Sequence, residues 1–384
     1  MDTEYKIMVD SLARQFKNFM EIKALEKNAN LEYGEAFTNS SEAYRKYIEG
    51  MKLIMNGNNQ VAVKALEESY RIDTTFTLAA FYLSFAYCHF DWTQARIWAL
   101  KAYRGKEKLP EDFRMRLEFW RAWFNTQNTN DVINYCNSIM NSETKSRFIL
   151  YDIGIAYLYL GKYDNSVKMF EKVEKVSSER GEKWDYLPFY TFFADVCNRA
   201  GMYDKESEVL ENGLILFPDD IELIWRKARL LISKGDTKKA TELILKYRWL
   251  SKHSGSSESG IENRIGALFE EANSFDQAEG HYRTALKLDP SNYSIMIDLA
   301  YFLVNHDRNI EEAQALTKIV LDNDPNNLDA LYTEATIRLK EGKFQEAVDL
   351  LQAVKDGTLW VPTIIKVDQQ ISEAKKAVAS QKVN

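Results

Sequence analysis

One pattern recurs along this chain and leaves few folds open to it. A small residue is followed after twelve positions by alanine or a substitute, after four more by a bulky apolar residue, and often by proline. The whole recurs at a step of about 34 residues. The clearest copy is Gly266, Ala278, Tyr282, Ala285 and Pro290; neighbouring copies read Ala228, Ala240, Ile244, Tyr247 and Ala300, Ala313, Thr317, Val320, Pro325. Further copies are Ala335, Ala347, Leu351, Val354; Ala194, Glu206, Leu210, Gly213, Pro218; Gly154, Ser166, Phe170, Val173; and Gly50, Ala62, Leu66, Ser69, Thr74. Two degenerate copies, around Ser84 and Ala122, complete about nine units between residues 43 and 361. A chain of this kind grows by adding units and needs no single large core.

The spacing has a packing reason. Small residues at the eighth and twentieth slots lie where two antiparallel helices touch, so their backbones approach closely. Glycine between the helices supplies the turn, and proline at the end of a unit stops the second helix. Composition agrees: only 16 Gly and 6 Pro stand beside 8 Trp, 21 Tyr and 20 Phe in 384 residues, which points to helices with a large buried surface.

These slots resemble the tetratricopeptide repeat family, carried by Gly161-Lys162-Tyr163, Gly201-Met202-Tyr203, Gly342-Lys343-Phe344 and the Leu288-Asp289-Pro290 ending. The resemblance covers about four fifths of the chain. It implies an all-α, right-handed superhelical solenoid of about nine helical hairpins, with extra helices at both ends. More weakly, Ser41-Glu42-Ala43-Tyr44-Arg45-Lys46-Tyr47-Ile48-Glu49-Gly50 and Leu109-Pro110-Glu111 are similar to repeat regions downstream of cyclase, kinase or winged-helix modules in bacterial signalling proteins. That resemblance implies that the chain is a piece of something longer.

The expected organisation is an N-terminal amphipathic helix and linker over 1–42, units one to six over 43–254, units seven to nine over 255–361, and a capping helix over 362–384. Tyr5, Met8, Leu12, Phe16, Phe19 and Met20 make an apolar stripe that must be buried somewhere. Ile364, Val367, Ile371 and Ala374 make the stripe of the cap. The Ser-Gly run at 254–260 is the expected hinge, and 177–183 a second polar loop.

Chemistry is sparse. The 4 histidines fit no catalytic or metal-binding spacing, and no phosphate loop or GxSxG elbow is present. The expectation is a protein that is not an enzyme and uses no cofactor and no metal. Cys88, Cys136 and Cys197 are widely spaced and odd in number, as buried small hydrophobes in a reducing compartment would be. A net charge of −7 argues against nucleic-acid coating. With no apolar run long enough for a membrane span, a cytoplasmic location is expected, or a periplasmic one if the chain belongs to a membrane-tethered protein.

Binding is the remaining role, on the surface lined by the first helix of each unit. Two groups of residues fall there. Tyr44, Tyr47, Phe81, Tyr82, Phe85, Trp120, Trp123 and Tyr151 form an aromatic set, read either as a peptide groove or as core in shifted register. Arg199, Trp225, Arg226, Arg229, Asn263 and Arg264 form a basic row, read either as a site for an acidic partner or as a solvated face balanced by Asp195, Glu222 and Glu270. Chaperone-binding members of the family clamp a carboxylate with lysines and asparagines, whereas the first unit here holds Tyr44 and Ile48. The expected function is a non-catalytic scaffold that binds a peptide or partner protein. The alternative is a regulatory or dimerisation domain of a bacterial signalling protein, its groove filled by its own N-terminal helix or by a second copy.

Overall fold

Each copy of the repeat folds as a pair of helices whose contact is set by the small slots. The computed structural model describes residues 2–29, 38–109, 111–125, 129–140, 144–358 and 361–381. The expected linker at 30–37, the end of the cap at 382–384 and the Ala122 side chain lie outside the described residues.

Among the described residues α1 (Asp2–Ala29) is followed by nine hairpins: α2/α3 (Ser41–Met55, Asn59–Ile72), α4/α5 (Thr77–Tyr87, Trp92–Arg104), α6/α7 (Glu111–Asn125, Thr129–Met140), α8/α9 (Arg147–Tyr159, Tyr163–Glu179), α10/α11 (Leu187–Arg199, Tyr203–Leu216), α12/α13 (Ile221–Ser233, Thr237–His253), α14/α15 (Glu258–Glu271, Phe275–Leu288), α16/α17 (Tyr293–Asn305, Ile310–Asn323) and α18/α19 (Leu328–Lys340, Phe344–Gly357). α20 (Val361–Gln381) ends the series, and no strand occurs among the described residues. The described residues are all-α, a series of helical hairpins.

The slots do what their spacing demands. Ala62, Ala240, Ala278, Ala313 and Ala347 are fully buried. A Cβ added at Gly266 would lie 2.9 Å from the Tyr282 ring, and one at Gly50 would lie 2.6 Å from Leu66. The eighth slot thus seats the bulky residue of the twenty-fourth. At the hairpin turns Gly161 and Gly201 take φ of 69° and 72°; Asn273 and Asp307, at 58° and 50°, adopt the same left-handed conformation where glycine is missing.

Packing separates two units, Met1–Ala156 with Lys168–Pro188, and Tyr157–Val167 with Phe189–Asn384. The Ser-Gly run lies within the second. It forms a tight turn, then Ser257 caps α14 by accepting from the Gly260 N–H, and Glu258–Gly260 are already helical. In the second unit a continuous core joins Ile224, Trp225, Ile265, Leu268, Phe269, Tyr282, Leu299 and Phe302. In a separate cluster α20 packs Val367, Ile371 and Ala374 with Val348, Leu351 and Val354 of α19.

α1 departs from expectation. Tyr5, Met8, Leu12, Phe16, Phe19 and Met20 are all more than half exposed, so the stripe neither fills a groove nor covers the aromatic set. The helix is held by its opposite side near its C-terminal end. Ile22 is buried there, the Ser41 hydroxyl donates to Glu21 Oε2 at 2.5 Å, and the Asn18 amide donates to the Asn39 carbonyl at 3.0 Å. At 100° per residue, Asn18 and Ile22 point away from Leu12 and Phe16, so anchoring one face leaves the other in solvent.

No described helix is long and apolar enough to cross a membrane.

Candidate functional site

The aromatic set lies in the interior of the first unit. Tyr44, Tyr47, Phe81, Tyr82, Phe85, Trp120, Trp123 and Tyr151 all retain less than a tenth of their surface. They pack on one another and on neighbouring rings: Tyr47 lies 5.1 Å from Phe76 and 5.8 Å from Tyr82, Phe85 lies 5.7 Å from Trp120, and Tyr151 lies 5.1 Å from Tyr186, centroid to centroid. Rings this large on adjacent helices meet and close the space a peptide would need. The open aromatic groove is therefore corrected to a core.

At its centre is a pair that the spacing did not single out. Arg116 Nε donates to Asp152 Oδ2 at 2.8 Å and Nη1 to the Tyr82 hydroxyl at 3.3 Å, with the guanidinium 4.8 Å from the Phe81 ring and 4.6 Å from that of Phe148. Both members of the pair are buried. Burial pushes the Asp152 carboxyl up, against the pull of Arg116. The signal available was an arginine at an inner slot otherwise crowded with rings, which needs an anion nearby.

The basic row is on the second unit, and every arginine in it holds a carboxylate. Arg199 Nε contacts Asp195 Oδ2 at 3.1 Å; Arg226 Nη1 contacts Glu222 Oε2 at 2.7 Å; Arg264 Nη2 reaches both Glu222 oxygens, at 2.8 and 3.0 Å. Crowding by protein pushes the Glu222 carboxyl up, and Arg264 with Arg226 more than offsets this, leaving it below its ordinary value. Trp225 is buried and donates its indole N–H to the Arg264 carbonyl at 2.9 Å, while the Arg264 guanidinium lies 4.7 Å from its ring. Asn263 donates to Asp298 at 2.5 Å.

Arg229 is not on a binding surface at all. Its side chain is 1% exposed, with Nη2 on Glu206 Oε1 at 2.5 Å and Nη1 on Glu271 Oε2 at 2.7 Å. The row is corrected to a ladder of alternating charge, in which Arg199, Glu222, Arg264, Asn263 and Asp298 reach solvent from α10, α12, α14 and α16. Glu270, expected as a balancing acid, instead accepts from the Tyr282 hydroxyl at 2.7 Å and faces His306 Nε2 at 2.9 Å.

Among the described residues no cluster of His, Cys, Asp and Glu is arranged to hold a metal ion. The three cysteines are buried and outside any disulfide.

Residues 264–327 and 149–180 each match a model of the tetratricopeptide repeat. No curated protein matches the chain. Solved structures similar to it include the human IFIT1 dimer with m7Gppp-AAAA, at 15% identity over 94% of this chain and 86% of that one, TM-score 0.42. A tetratricopeptide repeat protein from Parabacteroides merdae is 16% identical over 69% of this chain and 100% of that one, TM-score 0.38. YrrB, described as a TPR protein with an unusual peptide-binding site, is 17% identical over 49% and 91%, TM-score 0.28. The tetratricopeptide repeat is generally a protein–protein interaction scaffold. Residues 149–180 and 264–327 are thereby identified as tetratricopeptide repeats, set in a run of hairpins with buried small slots and left-handed turns.

Proposed function

We propose that the chain is a non-catalytic scaffold holding a segment of a partner protein along the first helices of its second unit. The supporting observation is the ladder itself: Arg199 and Arg264 are about half exposed although each sits beside an acid, so N–H donors remain open on both. A guanidinium offers five donors in a planar fork. An acidic side chain or terminal carboxylate of a partner can therefore be received without displacing Asp195 or Glu222.

The test is fluorescence anisotropy with a panel of acidic, neutral and basic peptides at ~50 and ~500 mM salt, where the Debye length falls from ~14 to ~4 Å. Acidic peptides should bind best, weaken with salt, and lose most of that dependence in an Arg199→Ala, Arg264→Ala double variant. Binding that ignores both salt and the double variant rejects the reading.

The exposed stripe of α1 favours a second reading, a dimerisation surface. Sedimentation of the intact chain beside one lacking residues 1–29 decides it: a concentration-dependent dimer lost on truncation supports it, and monomers in both cases reject it.

A further inference from the structure

The far end of the same ladder carries the opposite chemistry. On α16, Asp298 and Tyr301 are three residues apart and share a helix face; on α18, Asp329 and Tyr332 do the same. The two rings lie 5.8 Å apart, centroid to centroid. Among the described residues neither Asp298 nor Asp329 has a cation within salt-bridge range, and Asp298 is met only by the Asn263 amide. Crowding by protein pushes the Asp298 carboxyl up, the Asn263 amide and the more distant Arg264 pull it back in part, and the nearby charges of Asp329 and Glu270 push it further. Two exposed carboxylates that repel each other beside two ring faces form a place built for positive charge.

The chain sets one of its own cations against the two rings. Lys366, from the first turns of α20, sets its ammonium 4.6 Å from the Tyr332 ring centroid and 5.7 Å from that of Tyr301, and donates to the Tyr301 hydroxyl at 3.3 Å. Lys366 is not part of the packing that holds the cap, since Ile364, Val367, Ile371 and Ala374 form that stripe while its own side chain is exposed. Its reach into the rings is thus separable from the fold of α20.

We propose that Tyr301, Tyr332, Asp298 and Asp329 form a seat for a lysine or arginine side chain of a bound protein segment, occupied in the free protein by Lys366. The proposal rests on the reading that a partner segment lies along this ladder, and it gives that segment a polarity: acidic toward Arg199 and Arg264, basic toward Tyr301 and Tyr332. Lys366 then acts as an internal competitor that an incoming cation displaces.

The experiment uses the full chain and two labelled peptides, acetyl-Ala-Ala-Lys-Ala-Ala-amide and the same peptide with norleucine for lysine. Lys366→Met keeps the stem and removes the charge. If Lys366 holds the seat in ~70–90% of free molecules, its removal should tighten the lysine peptide about three- to tenfold and leave the norleucine peptide unchanged. Asp298→Asn with Asp329→Asn in that background should reverse the gain. Equal binding of both peptides, or no saturable binding of the lysine peptide to Lys366→Met up to millimolar concentration, overturns the seat.

Should Lys366→Met loosen α20, the intact protein still decides the matter. Ring-shifted Lys366 side-chain resonances must move toward free-lysine positions as the lysine peptide is added, and unmoved resonances overturn the proposal. A partner lost on Arg264→Ala but indifferent to Lys366 leaves the scaffold reading standing and removes the seat alone.

Discussion

Arg229 Nη2 lies 2.5 Å from Glu206 Oε1, and both side chains are shut off from solvent. Glu206 occupies the twentieth slot of its hairpin, where the clear copies elsewhere carry alanine and the α8/α9 copy carries Ser166. A carboxylate in that position meets the facing helix with no water to solvate it. Asn198 donates to its other oxygen at 3.1 Å, and Arg229 is tied in turn to Glu271. Burial pushes the Glu206 carboxyl up while Arg229 and Asn198 pull it back. The arginine is there because the acid is.

Breaking this pair from one side should be costly. Arg229→Met alone is expected to lower unfolding free energy by about 3–5 kcal/mol, since it leaves the buried Glu206 carboxylate with only the Asn198 amide, and Glu206→Ala alone should cost less, because Arg229 keeps Glu271. Arg229→Met with Glu206→Ala should cost far less than the sum. Urea denaturation of the four proteins, analysed as a double-mutant cycle, measures the difference.

Overpacking the slots should separate contact positions from surface. Ala278→Leu or Ala347→Leu, both at fully buried positions, should cost about 1–3 kcal/mol. Lys343→Leu, at a side chain 47% exposed, should change stability by less than about 0.5 kcal/mol. Thermal melts of the three variants check it, and equal losses would contradict the packing described.

The apolar stripe of α1 should bear on association and leave stability alone. Leu12→Glu with Phe16→Glu is expected to leave the urea midpoint unchanged, because both side chains already face solvent. It should reduce binding of an apolar dye and any self-association. A large loss of stability would show that the stripe is covered in solution.

Acid should weaken one contact between α15 and α17 in a predictable direction. Hydrogen bonds from Arg283, at 2.8 Å to each oxygen, hold the Glu312 carboxyl below its ordinary value. Its stabilising contribution is therefore present above the unfolded value near 4.3 and lost as pH falls through the lower folded value. Both groups are partly exposed, so the effect should stay below about 1 kcal/mol. Glu312→Gln should remove that part of the acid-induced loss in denaturation curves taken from pH 6 to pH 3.

The sequence by itself determined the hairpin series, its turns and its capping helix. Gly266, Ala278 and Tyr282 act within one hairpin, so their spacing alone says which helices touch, and Ile364, Val367 and Ile371 declare their shared face in the same way. Which side chains reach solvent was decided only by the tertiary structure, because an inner slot is open or closed according to the size and charge of its neighbours in the next hairpin. Tyr47 is buried because Phe76 and Tyr82 come from the following segments to meet it. Arg264 stays exposed because Trp225 supports it from below, and Arg229 sinks because Glu206, 23 residues earlier, needs a partner. The α1 stripe is the sharpest instance: the pattern says that a face is apolar, but only the anchoring of Asn18 and Ile22 on the opposite side leaves that face in water.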